Sequence, residues 1–183
     1  MSLQIICSIE IGDERVSQYR LAFTWPPGLG SEVPDGPELV EELVRLIRSA
    51  RFTIDLYFYN INSSGQFVLA RSLHEALARR GVSVRIYCDQ RTQARQIFDT
   101  FGGSKHKISA WYWNVPENEM SKFHVKAIVA DGRRFYLGSA NMSHTAMNVS
   151  AECGLFGTDR NISNQLQRYT QLFVENGSLV VIE

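Results

Sequence analysis

The sequence is short of charge excess, of cysteine and of long apolar runs. Its 183 residues carry 19 Lys plus Arg against 19 Asp plus Glu, which excludes a strongly basic or strongly acidic protein. The three cysteines, Cys7, Cys88 and Cys153, are odd in number, far apart and without a Cys-x-x-Cys. A disulfide framework and a zinc ribbon are thereby excluded, and small buried side chains in a reducing compartment are expected. The four histidines (His74, His106, His124 and His144) and the cysteines show no metal-ligand spacing, so no metal and no other cofactor is expected. No apolar stretch is long enough to span a bilayer, and the first residues lack the basic and apolar regions of a signal peptide. A cytoplasmic protein with no stable membrane insertion is the simplest expectation.

What is present is a soluble-domain composition, 44% hydrophobic and 21% charged, with uneven charge. Residues 1–60 sum to −4, residues 61–140 to +6 and residues 141–183 to −2. The positive middle hints at an anionic partner. Along the chain, residues 1–24 alternate weakly and could form a hairpin, and Trp25-Pro26-Pro27-Gly28 reads as a loop. A helix is expected from about Pro37, capped by Asp35-Gly36-Pro37-Glu38, with Leu39, Val40, Leu43, Leu46 and Ile47 at helical spacing. Strands follow at 52–59, 82–87 and 108–113, with helices at 66–80 and 92–101 between them. That order predicts βαβ units, hence an α/β domain with a mixed, largely parallel sheet flanked by helices. A strand at Phe123–Ala130, an Asp131-Gly132 turn, a returning strand at Arg134–Leu137, a strand at Ser150–Phe156, a helix at Ile162–Phe173 and a strand at Leu179–Ile182 complete it. The expected division is an N-terminal extension over 1–30 and a catalytic domain over 31–183.

One stretch carries chemistry: His124-Val125-Lys126, four residues, Asp131, then after six more residues Gly138-Ser139-Ala140-Asn141. Period two puts His124 and Lys126 on one strand face. An imidazole beside an ammonium is costly to bury unpaired and makes sense facing an anion. Lys126 can neutralise phosphate oxygens, and His124 can attack phosphorus or move a proton near neutral pH. Gly138 would let backbone approach closely, and Ser139 and Asn141 add uncharged donors.

His-x-Lys-x4-Asp followed by Gly-Ser-x-Asn resembles the signature of the phospholipase D superfamily, nearest to its small bacterial endonucleases with one copy of the motif. The resemblance covers the chain from about Pro37 to Phe173 and implies a phospholipase D-like fold. It implies that His124 is the nucleophile of a phosphohistidine intermediate. Lys126 and Asn141 would be phosphate ligands, and Ser139 the serine near histidine and phosphate. Glu152 would fix the orientation of the histidine ring, and Asp131 would be the motif aspartate, usually a structural partner at the strand end. Turn chemistry alone also explains Asp131. His144 reads as structural, and His74 and His106 have no assigned role.

In-line displacement at phosphorus puts attacking and leaving atoms on opposite sides, so one imidazole cannot serve both. A two-fold homodimer with a shared site would supply a second His124 as general acid, as in the family's single-copy members. Three functions compete. The favoured one is a metal-independent nuclease, an endonuclease with DNA preferred over RNA. Lys105 and Lys122 would bind substrate beside Lys126 and Asn141, Arg91, Arg95, Lys107, Arg133 and Arg134 could track the backbone, and Trp111, Tyr112 and Trp113 could stack bases, although burial in the sheet is the commoner fate of such residues. The second is a lipid phosphodiesterase or transphosphatidylase, with Trp25-Pro26-Pro27 dipping into a bilayer. The third is a non-catalytic nucleic-acid-binding dimer module of a larger assembly.

Overall fold

The computed structural model describes residues 19–28, 38–61, 69–102, 107–115 and 121–182. In the segment Thr53–Phe58, Ile54, Leu56 and Phe58 pack into one core, while Tyr57, with Asp55 beside it, faces the other way. Period two in a β-branched and aromatic run makes a strand buried on both faces. This is β2, the centre of the fold. In chain order the elements are β1 (Tyr19–Thr24), α1 (Leu39–Ser49), β2 (Thr53–Phe58), α2 (Ala70–Arg80), β3 (Ser83–Cys88), α3 (Arg91–Thr100) and β4 (Ile108–Trp113). They continue with β5 (Lys126–Ala130), β6 (Arg134–Gly138), α4 (His144–Asn148), β7 (Glu152–Thr158), α5 (Arg160–Glu175) and β8 (Leu179–Val181).

All eight strands form one sheet in the order β1-β7-β6-β5-β2-β3-β4-β8. The sheet is mixed, as expected. Its largely parallel character holds only for β2–β3 and β3–β4, whose crossovers contain α2 and α3. The short β5–β6 link and the late, peripheral strands force antiparallel pairing elsewhere. Helices α1, α2, α3 and α4 cover one face through Leu43, Ile47, Leu73, Ile97 and Met147. Helix α5 covers the other through Ile162, Leu166, Phe173 and Val174.

Local signals explain most boundaries. α2 stops at Gly81, which takes the left-handed conformation with φ 60°. Asp159 caps α5 by accepting the N–H groups of Asn161 and Ile162. Asp131 and Gly132 both have positive φ, 55° and 60°, as the two centres of a primed hairpin turn require. The Asp35-Gly36-Pro37 cap expected for α1 lies outside the described residues, as does the first half of the expected N-terminal hairpin. Within the expected 1–30 extension, Tyr19–Thr24 is an edge strand of the main sheet, paired with β7.

Candidate active site

β2 and β3 run parallel and end side by side, Phe58 opposite Cys88. β5 runs against β2, with Lys126 opposite Phe58. The start of β5 is therefore placed at the carboxyl rim of β2 and β3, where open α/β sheets present their sites. The strand expected from Phe123 begins only at Lys126. Ahead of it, the Phe123 N–H donates to Asp89 Oδ1 at 2.9 Å, a buried carboxylate just past β3. His124 thus stands on an extended lead-in held by a side chain rather than by a ladder.

Lys126 is buried and His124 is exposed. The Lys126 Nζ donates to the His124 carbonyl at 3.1 Å and lies 3.0 Å from Nδ1 and 3.3 Å from Nε2 of its ring. A charged ammonium only donates, so the ring nitrogen it meets accepts. Burial pushes the Lys126 ammonium below its ordinary range, and the Glu152 carboxylate opposes that push. Glu152 itself accepts a hydrogen bond from the Ser139 hydroxyl, which in turn accepts the Cys153 N–H at 3.1 Å. The resemblance implies that Glu152 holds the histidine ring; in this structure its carboxylate accepts from the Ser139 hydroxyl.

Asn141 is fixed from the other side. Its Oδ1 accepts the Asn60 N–H at 3.3 Å. A backbone N–H can only donate, so this contact assigns the amide and leaves Nδ2 as its donor end. Asn60 Oδ1 accepts from Gln93 Nε2 at 3.1 Å, and Ile61 bridges to Met142. The end of β2 is stitched to the segment after β6. Tyr59, between Phe58 and Asn60, lays its ring 4.5 Å from the His124 ring and 5.5 Å from Lys126 Nζ, centroid distances in both cases. Sequence reasoning missed Tyr59, Asn60, Asp89 and Gln93, because each reaches the site from a strand or helix end remote in sequence. Cys88 lies at the same rim, but burial pushes its thiol up to about 12, so it stays protonated.

The structure thus brings His124 to Lys126, Ser139 to Glu152, and Asn141 to the tip of β2. Lys122 is exposed two residues before His124. Asp131 is the motif residue not brought to the site. It sits past the far end of β5, roughly 17 Å from Lys126 at ~3.3 Å per residue. There it accepts the N–H groups of Arg51, Phe52 and Thr53 at 2.8–3.1 Å and pairs with Arg134 at 2.9 Å. Lys105 lies outside the described residues. Gly138 answers to packing: a Cβ there would meet the Cys153 carbonyl at 2.5 Å and the Tyr136 hydroxyl at 2.6 Å.

Two surface expectations need correction. Trp111 stacks on Tyr87, and Trp113 packs on Phe123 and Phe173, so both belong to the α5-face core rather than to a base-stacking platform. Tyr112 faces the opposite core, with Arg91 over its ring. The expected cation track is also divided. Arg91 and Lys122 lie toward the site rim, but Lys107 immediately precedes β4, Arg133 lies in the β5–β6 turn and Arg134 begins β6, all at the opposite rim. A cavity of about 350 Å³ opens between α5 and β2–β3, away from His124. Its floor is a satisfied polar node in which Asp55 accepts from Arg85 Nη2 at 2.8 Å and Gln167 Nε2 at 2.6 Å.

A family model described as "Cardiolipin synthase, PLD-like domain" matches residues 43–173. The chain belongs to this phospholipase D-like family. The match takes in β2 through most of α5, and with them every motif residue from His124 to Glu152. Solved phospholipase D-like structures share the fold. NucT from Helicobacter pylori superposes with a TM-score of 0.65 at 20% identity, covering 91% of this chain and 99% of that one. Nuc from Salmonella typhimurium, a phospholipase D family member, gives 0.63 at 17% identity over 91% and 99%. A phosphatidylserine synthase from Haemophilus influenzae gives 0.63 at 16% identity, over 91% of this chain but 40% of that one. No curated protein sequence matches the chain. No described helix is long and apolar enough to cross a membrane.

Proposed function

We propose that this phospholipase D-like domain is a metal-independent phosphodiesterase acting on nucleic acid, DNA in the first instance, through a phosphohistidine on His124. The observation that carries the reading is the direct contact of the Lys126 ammonium with the His124 ring at the carboxyl rim of the sheet. Lys126 and the amide of Asn141 supply charge and hydrogen bonds to the non-bridging oxygens. A phosphate bound there competes for the ammonium and leaves a ring lone pair for phosphorus. The ring nitrogen forms the new P–N bond as the P–O bond to the leaving group breaks. The leaving oxygen takes its proton from His124 of a second copy related by a two-fold axis. That second imidazole, now neutral, draws a proton from water. The hydroxide attacks phosphorus, the P–N bond breaks, and His124 is restored.

Nucleic acid is favoured by the net charge of +6 over residues 61–140, with Lys122 and Arg91 toward the rim. A phosphatidyl substrate is the second reading, favoured by the cardiolipin synthase description of the matched family and by the phosphatidylserine synthase neighbour. The deciding experiment incubates the protein in excess EDTA with single- and double-stranded DNA, RNA and a phosphatidyl lipid, then traps labelled protein early. The expected result is nucleic-acid cleavage and a base-stable, acid-labile phosphoramidate on His124. Activity lost on chelation and restored by Mg²⁺, or label on Ser139, overturns the mechanism; cleavage of the lipid alone overturns the substrate.

A further inference from the structure

We propose that Tyr59 is a positioning residue of this site, holding the His124 ring and the Lys126 ammonium against one aromatic side chain. The inference rests on the phosphodiesterase reading for its chemistry, though not for its geometry. His124 precedes β5, so among the described residues no ladder hydrogen bond fixes it, and its side chain is exposed. The carboxylate expected to orient the ring is bonded to Ser139. Among the described residues, the hydrogen-bond and ring partners of the imidazole are Lys126 and Tyr59. The two rings are 4.5 Å apart and inclined by 49°, a tilted pair. The Lys126 Nζ, 5.5 Å from the Tyr59 centroid, is within the ~6 Å reach of a cation–π contact.

Tyr59 is itself well anchored. Phe58 before it pairs with both Lys126 and Cys88, Asn60 after it donates to Asn141, and Ile61 bridges to Met142. Ladder and stitch fix the backbone on which the Tyr59 ring is mounted. Attack on phosphorus puts positive charge on the imidazole until a proton leaves it, and an aromatic neighbour favours that charge. Tyr59 therefore acts on the chemical step through His124, more than on substrate binding.

The test replaces the ring and keeps the bulk. Tyr59→Phe is expected to stay within about two-fold of the parent in kcat, while Tyr59→Leu and Tyr59→Met lose about tenfold in kcat with KM nearly unchanged. In histidine-labelled protein, the His124 ring signals, assigned with His124→Gln, should carry an aromatic ring-current shift. Tyr59→Phe should keep that shift, and both ring-less variants should lose it. If the His124 signals do not move in either ring-less variant, the proposal is overturned. It is equally overturned if Tyr59→Phe is as impaired as Tyr59→Leu, since the hydroxyl would then be the working group. Should the parent cleave no phosphodiester, the functional reading fails, and the ring-current measurement still decides the placement of Tyr59.

Discussion

The two ends of β5 carry the two halves of one motif and have opposite characters. At the Asp131 end every acceptor is engaged: three backbone N–H groups and Arg134 converge on one carboxylate. Burial alone would raise the Asp131 carboxyl, but the N–H groups of Phe52, Thr53 and Arg51, with Arg134, outweigh it and hold it below the usual range. At the His124 end, an ammonium lowered by burial meets a ring, and an exposed histidine has no ladder partner. Satisfied polar groups stabilise a fold; groups kept near one another with donors to spare are available to a ligand. Motif spacing alone does not tell which kind a given residue is.

The largest effect is expected at His124. His124→Ala should lower phosphodiesterase turnover by several orders of magnitude, since under the proposed mechanism it removes nucleophile and general acid together. Circular dichroism and the melting temperature should barely change, because an exposed side chain adds little to the core. Next in size is Lys126→Ala, expected to cost about 10²–10³ in kcat, as removal of a group facing the transition-state charge does. If steady-state kinetics found it unimpaired, Lys126 would have no part in the chemistry.

At the other end the effect should fall on stability. Asp131→Asn keeps the left-handed turn but removes the charge, and should cost about 2 kcal/mol, or roughly 4–8 °C in Tm. Activity well below Tm should stay within about two-fold. Because the folded-state carboxyl is depressed, its contribution is full above the unfolded value of about 3.9 and is lost as pH falls through the lower folded value. Urea titrations from pH 6 to pH 3 should therefore narrow the gap between parent and Asp131→Asn at the acid end; a constant gap would contradict the charge argument. The smallest effects concern single surface cations. Lys122→Ala should reduce the slope of log affinity against log salt by about one, whereas Arg133→Ala, at the far rim, should leave it alone. Equal slopes for the two would mean that the substrate track is not confined to the His124 rim.

The strand-helix order and the Asp131-Gly132 turn were readable because each is written locally, in periodicity or in residues that accept positive φ. The closeness of His124 and Lys126 was readable because period two places both on one side of the chain. What could not be read depends on which strand ends meet. Tyr59 lies 65 residues before His124 and enters the site only because β5 pairs antiparallel with β2. Asp89 shortens β5 by taking the Phe123 N–H, a competition that no strand propensity encodes. The tryptophans of β4 were ambiguous for the reverse reason: an aromatic run suits a stacking surface and a strand buried on both faces alike. Their packing on Tyr87, Phe123 and Phe173, under α5, decides.

One feature of the sheet bears on how the protein behaves in bulk. β1 covers the outer edge of β7 from Glu152 to Gly157, pairing residue by residue through Thr24 and Tyr19. A nick in the Trp25–Gly28 segment, followed by loss of β1, would leave every residue of the motif in place. It would also uncover a row of unpaired backbone groups beginning at Glu152. Such a row is a template for strands of other molecules. The shortened chain would then be prone to open-ended aggregation, seeded beside its own candidate site and growing with protein concentration.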